Sequence, residues 1–114
     1  MALEANIVYL DEELKSNRER LELMAKFLKE NPSVSIYKRE IRGNLYYYKK
    51  YWQDGKSISE FLCRDESGYE ERLKEIEILN EKRRTIKIQF KKLQQVTLAL
   101  EKQLRIARRA YENV

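Results

Sequence analysis

Apolar residues fall at Leu3, Ile7, Leu10, Leu14, Leu21, Met24 and Leu28, in steps of four and three, with Asn17 as the one polar member of the series. This is the stripe of a helix that packs along a narrow seam, and it predicts a helix over residues 3–31. Asn31-Pro32 ends it, because a residue before proline is pushed away from helical geometry. A single polar residue in such a seam commonly sets register, which is the role expected of Asn17. A second series runs through Ile76, Leu79, Arg83, Ile86, Phe90, Leu93, Thr97, Leu100, Leu104, Ala107 and Tyr111. It predicts a longer helix over residues 68–113, opened by the capping box Ser67-Gly68-Tyr69-Glu70. The lengths expected at 1.5 Å per residue are about 40 Å and roughly 65 to 70 Å.

Between the helices the period changes to two. Residues 34–42 (VSIYKREIR), 45–53 (LYYYKKYWQ) and 56–63 (KSISEFLC) read as three strands of an antiparallel meander. Asp54-Gly55 is a strong two-residue hairpin signal and Gly43-Asn44 a weaker one. Turns at these positions oppose Tyr51 to Ile58, Lys49 to Glu60 and Tyr47 to Leu62. On the other side they oppose Arg42 to Leu45, Glu40 to Tyr47, Lys38 to Lys49 and Ile36 to Tyr51. Because side chains alternate between faces, one face collects Val34, Ile36, Leu45, Tyr47, Tyr51, Ile58 and Leu62. That more aliphatic face is expected to meet the helices. The other collects Tyr37, Arg39, Ile41, Tyr46, Tyr48, Lys50, Trp52, Phe61 and Cys63, and is expected to face solvent. The fold class is therefore α+β: a long antiparallel coiled-coil hairpin with a three-stranded meander between its helices, in a single domain over residues 1–114.

Charge refines this picture. From Lys82 to Arg109 there are ten basic residues and one acid, Glu101, whereas Asp65 to Glu81 holds seven acids against Arg72 and Lys74. The first helix is acidic early, so antiparallel pairing lays its acids beside the basic run and partly neutralises it. Arg105, Arg108 and Arg109 are expected to overhang and remain open to a partner. The apolar edges of a two-helix hairpin also suit a second copy, so a homodimer through the helices is a further expectation.

The chain has no histidine and one cysteine. This removes Ser-His-Asp and Cys-His systems, His-dependent zinc sites and Cys₄ sites. No P-loop, Gly-rich dinucleotide fingerprint or EF-hand loop is present. No catalytic residue, metal or cofactor is expected. The lone Cys63 fits a reducing cytoplasm, MALEANIVYLDEEL lacks the basic start of a secretory signal, and no apolar run approaches the roughly 20 residues that span a bilayer.

The stretch SVSIYKREIRGNLYYY, followed by DGK, resembles a family of short bacterial, archaeal and phage proteins. In that family a Ser-Ile-Tyr-Lys-Arg strand, a Gly turn, a Tyr-rich strand and an Asp-Gly-Lys turn lie between helices. The matching residues are Ser35, Ile36, Tyr37, Lys38, Arg39, Gly43, Tyr46 to Tyr48, Asp54, Gly55 and Lys56. The family is uncharacterised, so the resemblance implies a fold and no catalytic residues. More distantly, the meander looks like the arm-type DNA-binding module of phage integrases.

With a sequence pI of 9.3 and a net charge of +5, the expected function is non-catalytic nucleic-acid binding, in a protein from a phage or mobile element. The expected contacts are Tyr37, Arg39, Tyr46, Tyr48, Lys50 and Trp52 on the outer sheet face, and Arg105, Arg108 and Arg109 on the last helix. The same aromatic and basic residues suit a protein interface. The alternative is therefore an interaction module: an adaptor, or an inhibitor of a nucleic-acid-processing enzyme such as an RNA-guided nuclease. Plain sheet packing of the rings is the third reading of that face.

Overall fold

Two helices flank a three-stranded antiparallel sheet in the order α1 (Ala2–Glu30), β1 (Ser35–Ile41), β2 (Asn44–Gln53), β3 (Lys56–Cys63) and α2 (Glu66–Glu112). This computed structural model describes residues 2–64 and 66–113, without the side chains at 2, 3, 66 and 67. The seam position Leu3 and the capping residue Ser67 thus lie outside the described side chains. The helix that Ser67 was expected to cap begins at Glu66, two residues before the expected start at Gly68, so Ser67 sits within its first turn. The residue contacts divide into two compact units, one of residues 1–26 with 87–114 and one of residues 27–86.

In the helical unit, Leu14, Asn17, Thr97 and Leu104 are buried, all of them at predicted seam positions. Thr97 satisfies its hydroxyl by donating to the Leu93 carbonyl at 2.7 Å, one turn back. The helices run antiparallel, because partners ascend one helix as they descend the other. Tyr111 donates to Glu4, Arg108 Nη2 to both carboxylate oxygens of Asp11 at 3.0 and 3.1 Å, and Arg18 Nη2 to Glu101 at 3.3 Å. The expected overhang is absent: α1 reaches the level of Tyr111, and Arg108 is already paired. The longer α2 was expected to project past α1 at this end, but heptad spacing sets a stripe and not its longitudinal offset from a partner.

In the sheet-bearing unit, both hairpins turn on an X-Gly pair. Asp54 and Gly55 have φ of 52° and 76°, and Arg42 and Gly43 have φ of 53° and 80°. Positive φ at both central positions is the type I′ signature, with glycine favoured second. The first turn is therefore Arg42-Gly43, not Gly43-Asn44, and Ile41 pairs with Asn44. This moves β1 by two residues, so Lys38 opposes Tyr47, and Ile36 opposes Lys49. The expected pairing of Lys38 with Lys49, two like charges directly opposed, is thereby avoided. An even shift preserves the faces.

The second hairpin keeps the expected pairs Tyr51–Ile58 and Lys49–Glu60, then breaks register between Tyr48 and Tyr47. Tyr48 opposes Phe61 but Tyr47 opposes Cys63, so Leu62 is the extra residue of a bulge and not the partner of Tyr47. Cys63 consequently joins Tyr47's face, contrary to its expected place on the outer one. A Cβ added at Gly68 of α2 would lie 3.8 Å from the Cys63 Cβ, in ordinary van der Waals contact.

The inner face is anchored on α2 by one ring and one amide. Tyr47 is 1% exposed, and its ring stacks on Tyr69 at 4.2 Å between centroids. Asn80 accepts from the Val34 N–H at 3.0 Å and donates to the Val34 carbonyl at 2.8 Å, satisfying both peptide groups just before β1. Arg83 Nε donates to the Asn31 carbonyl at 3.0 Å, while the Asn31 side chain donates to Phe27 O at 3.0 Å where α1 ends. Two of the inner-face charges are paired: Glu60 accepts from the Tyr51 hydroxyl at 2.6 Å and lies 3.2 Å from Lys49 Nζ. The Tyr51 hydrogen bond, with Lys49 beside it, holds the Glu60 carboxyl below the usual carboxylate range. The same bond raises the Tyr51 phenol.

Two measurements test this account. Tyr47→Ala should cost about 3 to 5 kcal/mol in urea unfolding, as for other large buried aromatic deletions, and Asn80→Ala about 1 to 2 kcal/mol through two unpaired peptide groups. If Asn80→Ala matches wild type, its amide does not anchor the sheet. Tyr51→Phe should move the Glu60 titration midpoint upward by carboxyl NMR. Because the folded value is depressed, the stabilisation from Glu60 is present above the ordinary carboxylate range. It is lost as pH falls through the folded midpoint, and the variant should show less of that loss.

Candidate functional site: the outer sheet face

The alternation that turns Tyr47 inward places Tyr37, Arg39, Tyr46, Tyr48, Lys50, Trp52 and Phe61 on the opposite face. Tyr37 opposes Tyr48, and their rings stack at 5.4 Å with planes 15° apart. On the other side of β2, Phe61 opposes Tyr48 and meets it edge-on at 5.9 Å. Phe61 also reaches Tyr46, at 6.4 Å and tilted by 57°. The Tyr37 hydroxyl is hydrogen-bonded to Ser59 Oγ, from the first strand to the third. Four rings thus brace one another across three strands, which fixes their rotamers in a way isolated surface tyrosines would lack.

Cations surround this cluster. Arg64 lies over the Tyr46 ring, 5.9 Å from its centroid. Arg39 opposes Tyr46, and Lys50 opposes Ser35 on one side and Ser59 on the other. Along β2, Tyr48, Lys50 and Trp52 follow one another at alternate residues, about 7 Å apart. Trp52 differs from the braced rings, being 65% exposed and opposed only by Ser57. The acids of the strands, Glu40 and Glu60, fall on the inner face by parity, so among the described residues the outer strand face carries no carboxylate. Confinement of the strand carboxylates to the inner face, with cations on both, is the main electrostatic property of the sheet.

The structure therefore brings together six of the predicted contact residues and separates out three. Tyr37, Arg39, Tyr46, Tyr48, Lys50 and Trp52 share one surface of the sheet-bearing unit. Arg105, Arg108 and Arg109 belong to the helical unit, where they line a shallow hollow with Leu14, Glu101 and Leu104. Arg108 is held by Asp11 there, whereas Arg105 and Arg109 make no ion pair among the described residues. Sequence reasoning placed Phe61 on this face without counting it among the contacts, and did not single out Arg64. The Tyr48–Phe61 pairing was available from the Asp54-Gly55 turn. Arg64 was not, because the bulge at Leu62 redirects the chain that carries it.

Among the described residues there is no group of three or more His, Cys, Asp or Glu side chains able to hold a metal ion. No helix among them is long and apolar enough to cross a membrane. The outer face offers flat rings, cations and hydroxyls. Comparison with protein-family models, curated proteins and solved structures gave no match.

Proposed function

We propose that the outer sheet face is a non-catalytic binding surface for single-stranded nucleic acid. The observation that carries this reading is the exposed, unbraced Trp52 ring beside Lys50 on a strand face without carboxylates. Unpaired bases present a π-face to any aromatic ring, and their phosphates seek cations at short range. Tyr48, Lys50 and Trp52 supply ring, cation and ring along one strand, with Arg39 and Arg64 at the flank of the braced cluster. A duplex keeps its base faces stacked internally and would use only the cations. A protein partner is the second reading, supported by Phe61, which is apolar, exposed and at the centre of the cluster. An inhibitor of a nucleic-acid-processing enzyme would use the same surface.

Trp52 is the chain's one tryptophan, so its fluorescence reports directly on the proposed face. Titration with oligothymidylate should quench it. Trp52→Ala should weaken binding roughly 5- to 150-fold, the range for loss of one stacked base. With about three phosphate contacts the affinity should fall with salt at a logarithmic slope near −2, and Lys50→Ala should reduce that slope by about 0.7. Salt-dependent binding of duplex with no change in Trp52 emission would point to phosphate contact alone. Absence of binding at low salt and micromolar protein would leave the protein-partner reading.

A further inference from the structure

The two flanks of the helical unit differ in chemistry. Arg18–Glu101 and Asp11–Arg108 bridge one flank, which is charged along most of its length. The opposite flank, set by the heptad positions on the other side of the buried seam, carries Tyr9 and Leu23 on α1 and Val96, Ala99, Ile106 and Ala110 on α2. Its large side chains stand open to solvent, Leu23 at 69% and Ile106 at 59%. On α2, with Gln103 as the polar member between Ala99 and Ile106, the flank is spaced in steps of three and four, as is the buried seam beside it. A helix with two such stripes packs against two neighbours, and only one of them is α1.

The intramolecular ion pairs fix which residues lie level. Asp11 is beside Arg108 and Arg18 beside Glu101, so seven residues forward on α1 are seven back on α2. Ser16 is then level with Gln103. About that level the open flank is self-complementary on both helices. On α1, Tyr9 and Leu23 stand seven residues either side of Ser16, and Glu13 and Arg20 stand three before and four after. On α2, Val96 and Ala110 stand seven either side of Gln103, and Ala99 and Ile106 stand four before and three after. A large residue is thus mirrored by a small one on α2, and an acid by a base on α1.

We propose that this flank is the contact face of a homodimer, a four-helix bundle in which α1 packs on α1 and α2 on α2. The two-fold axis crosses the helices at Ser16 and Gln103. It sets Tyr9 against the partner's Leu23, Glu13 against the partner's Arg20, and Ala99 against the partner's Ile106. The other symmetric stacking, α1 over the partner's α2, would lay the Glu13 carboxylate on the partner's Ile106 and leave Arg20 on an alanine. A helix pair of some 25 residues, about 38 Å long and 18 Å wide, offers on the order of 700 Å² per protomer. That approaches the roughly 800 Å² per partner of a stable interface.

Sedimentation of the full chain across the micromolar range should show a reversible dimer. Ile106→Glu should weaken it at least tenfold, whereas Leu98→Glu, on the charged flank and equally exposed, should leave it intact; retained helical circular dichroism controls for folding in both. Glu13→Arg and Arg20→Glu should each weaken the dimer several-fold, and the two combined should restore it. In a Cys63→Ser background, Ser16→Cys should form an intermolecular disulfide under mild oxidation. A wild-type monomer at every concentration overturns the proposal, as does equal sensitivity to Ile106→Glu and Leu98→Glu. So does a dimer in which Ser16→Cys chains cross-link with Gln103→Cys chains and not with one another.

Discussion

The amide of Asn80 meeting both peptide groups of Val34 is the contact on which the sheet-bearing unit depends. A strand entering from a helix has two ways to present its faces, and its backbone polar groups are alike in both. Asn80 pairs with the chain just before β1 much as a neighbouring strand would, and Arg83 holds Asn31 one turn farther along α2. Once Val34 is seated, alternation carries Ile36 to the same side, and the two hairpins transmit that choice to β2 and β3. The stacking of Tyr47 on Tyr69 then buries the centre of the face so chosen, while Leu45 near its edge stays 40% exposed.

One consequence of this seating is that the carboxylates of a three-stranded sheet all fall on its inner face. Glu60 on the inner face is engaged by Tyr51 and Lys49, and Glu40 shares that side by parity. The outer face is left with Arg39, Lys50 and a set of rings. Its rings differ in state: Tyr37, Tyr46, Tyr48 and Phe61 brace one another, while Trp52 stands apart and exposed. Mutual packing holds the first four in place, with Phe61 still 56% exposed. It does not account for a tryptophan projecting into water beside a lysine, where apolar area is exposed and the indole edge has little to hold it.

The helical unit repeats the theme on a different periodicity. Its ion pairs gather on one flank, where partial exposure limits each to about 1 kcal/mol or less. Their greater effect is on alignment, because Asp11–Arg108 and Arg18–Glu101 agree on a single longitudinal offset between α1 and α2. That offset brings the mirrored patterns of the two open flanks to one level. Two helices alone cannot cover Leu23 and Ile106, since each helix of a pair buries only one stripe.

The sequence by itself determined the elements, the seam and the parity. Steps of four and three identify residues buried or half-buried along α1 and α2, including the polar Asn17 and Thr97, although Tyr111 at the end of the series is exposed, and strict alternation sorts the rings of β2 into Tyr47 and Tyr51 against Tyr46, Tyr48 and Trp52. These are properties of neighbours along a chain, and local geometry suffices for them. Tertiary structure decided what depends on distant partners. The bulge at Leu62 moves Cys63 to the face of Tyr47 near Gly68, a placement no strand pattern encodes. The turn at Arg42-Gly43 replaces Gly43-Asn44 because glycine is favoured at the second position of a type I′ pair, and it frees Lys49 from Lys38. The offset between the helices, which closes the expected overhang around Arg108, comes from side chains nearly a hundred residues apart. A repeating stripe matches its partner equally well one heptad up or down, so only contacts between particular residues can choose the register.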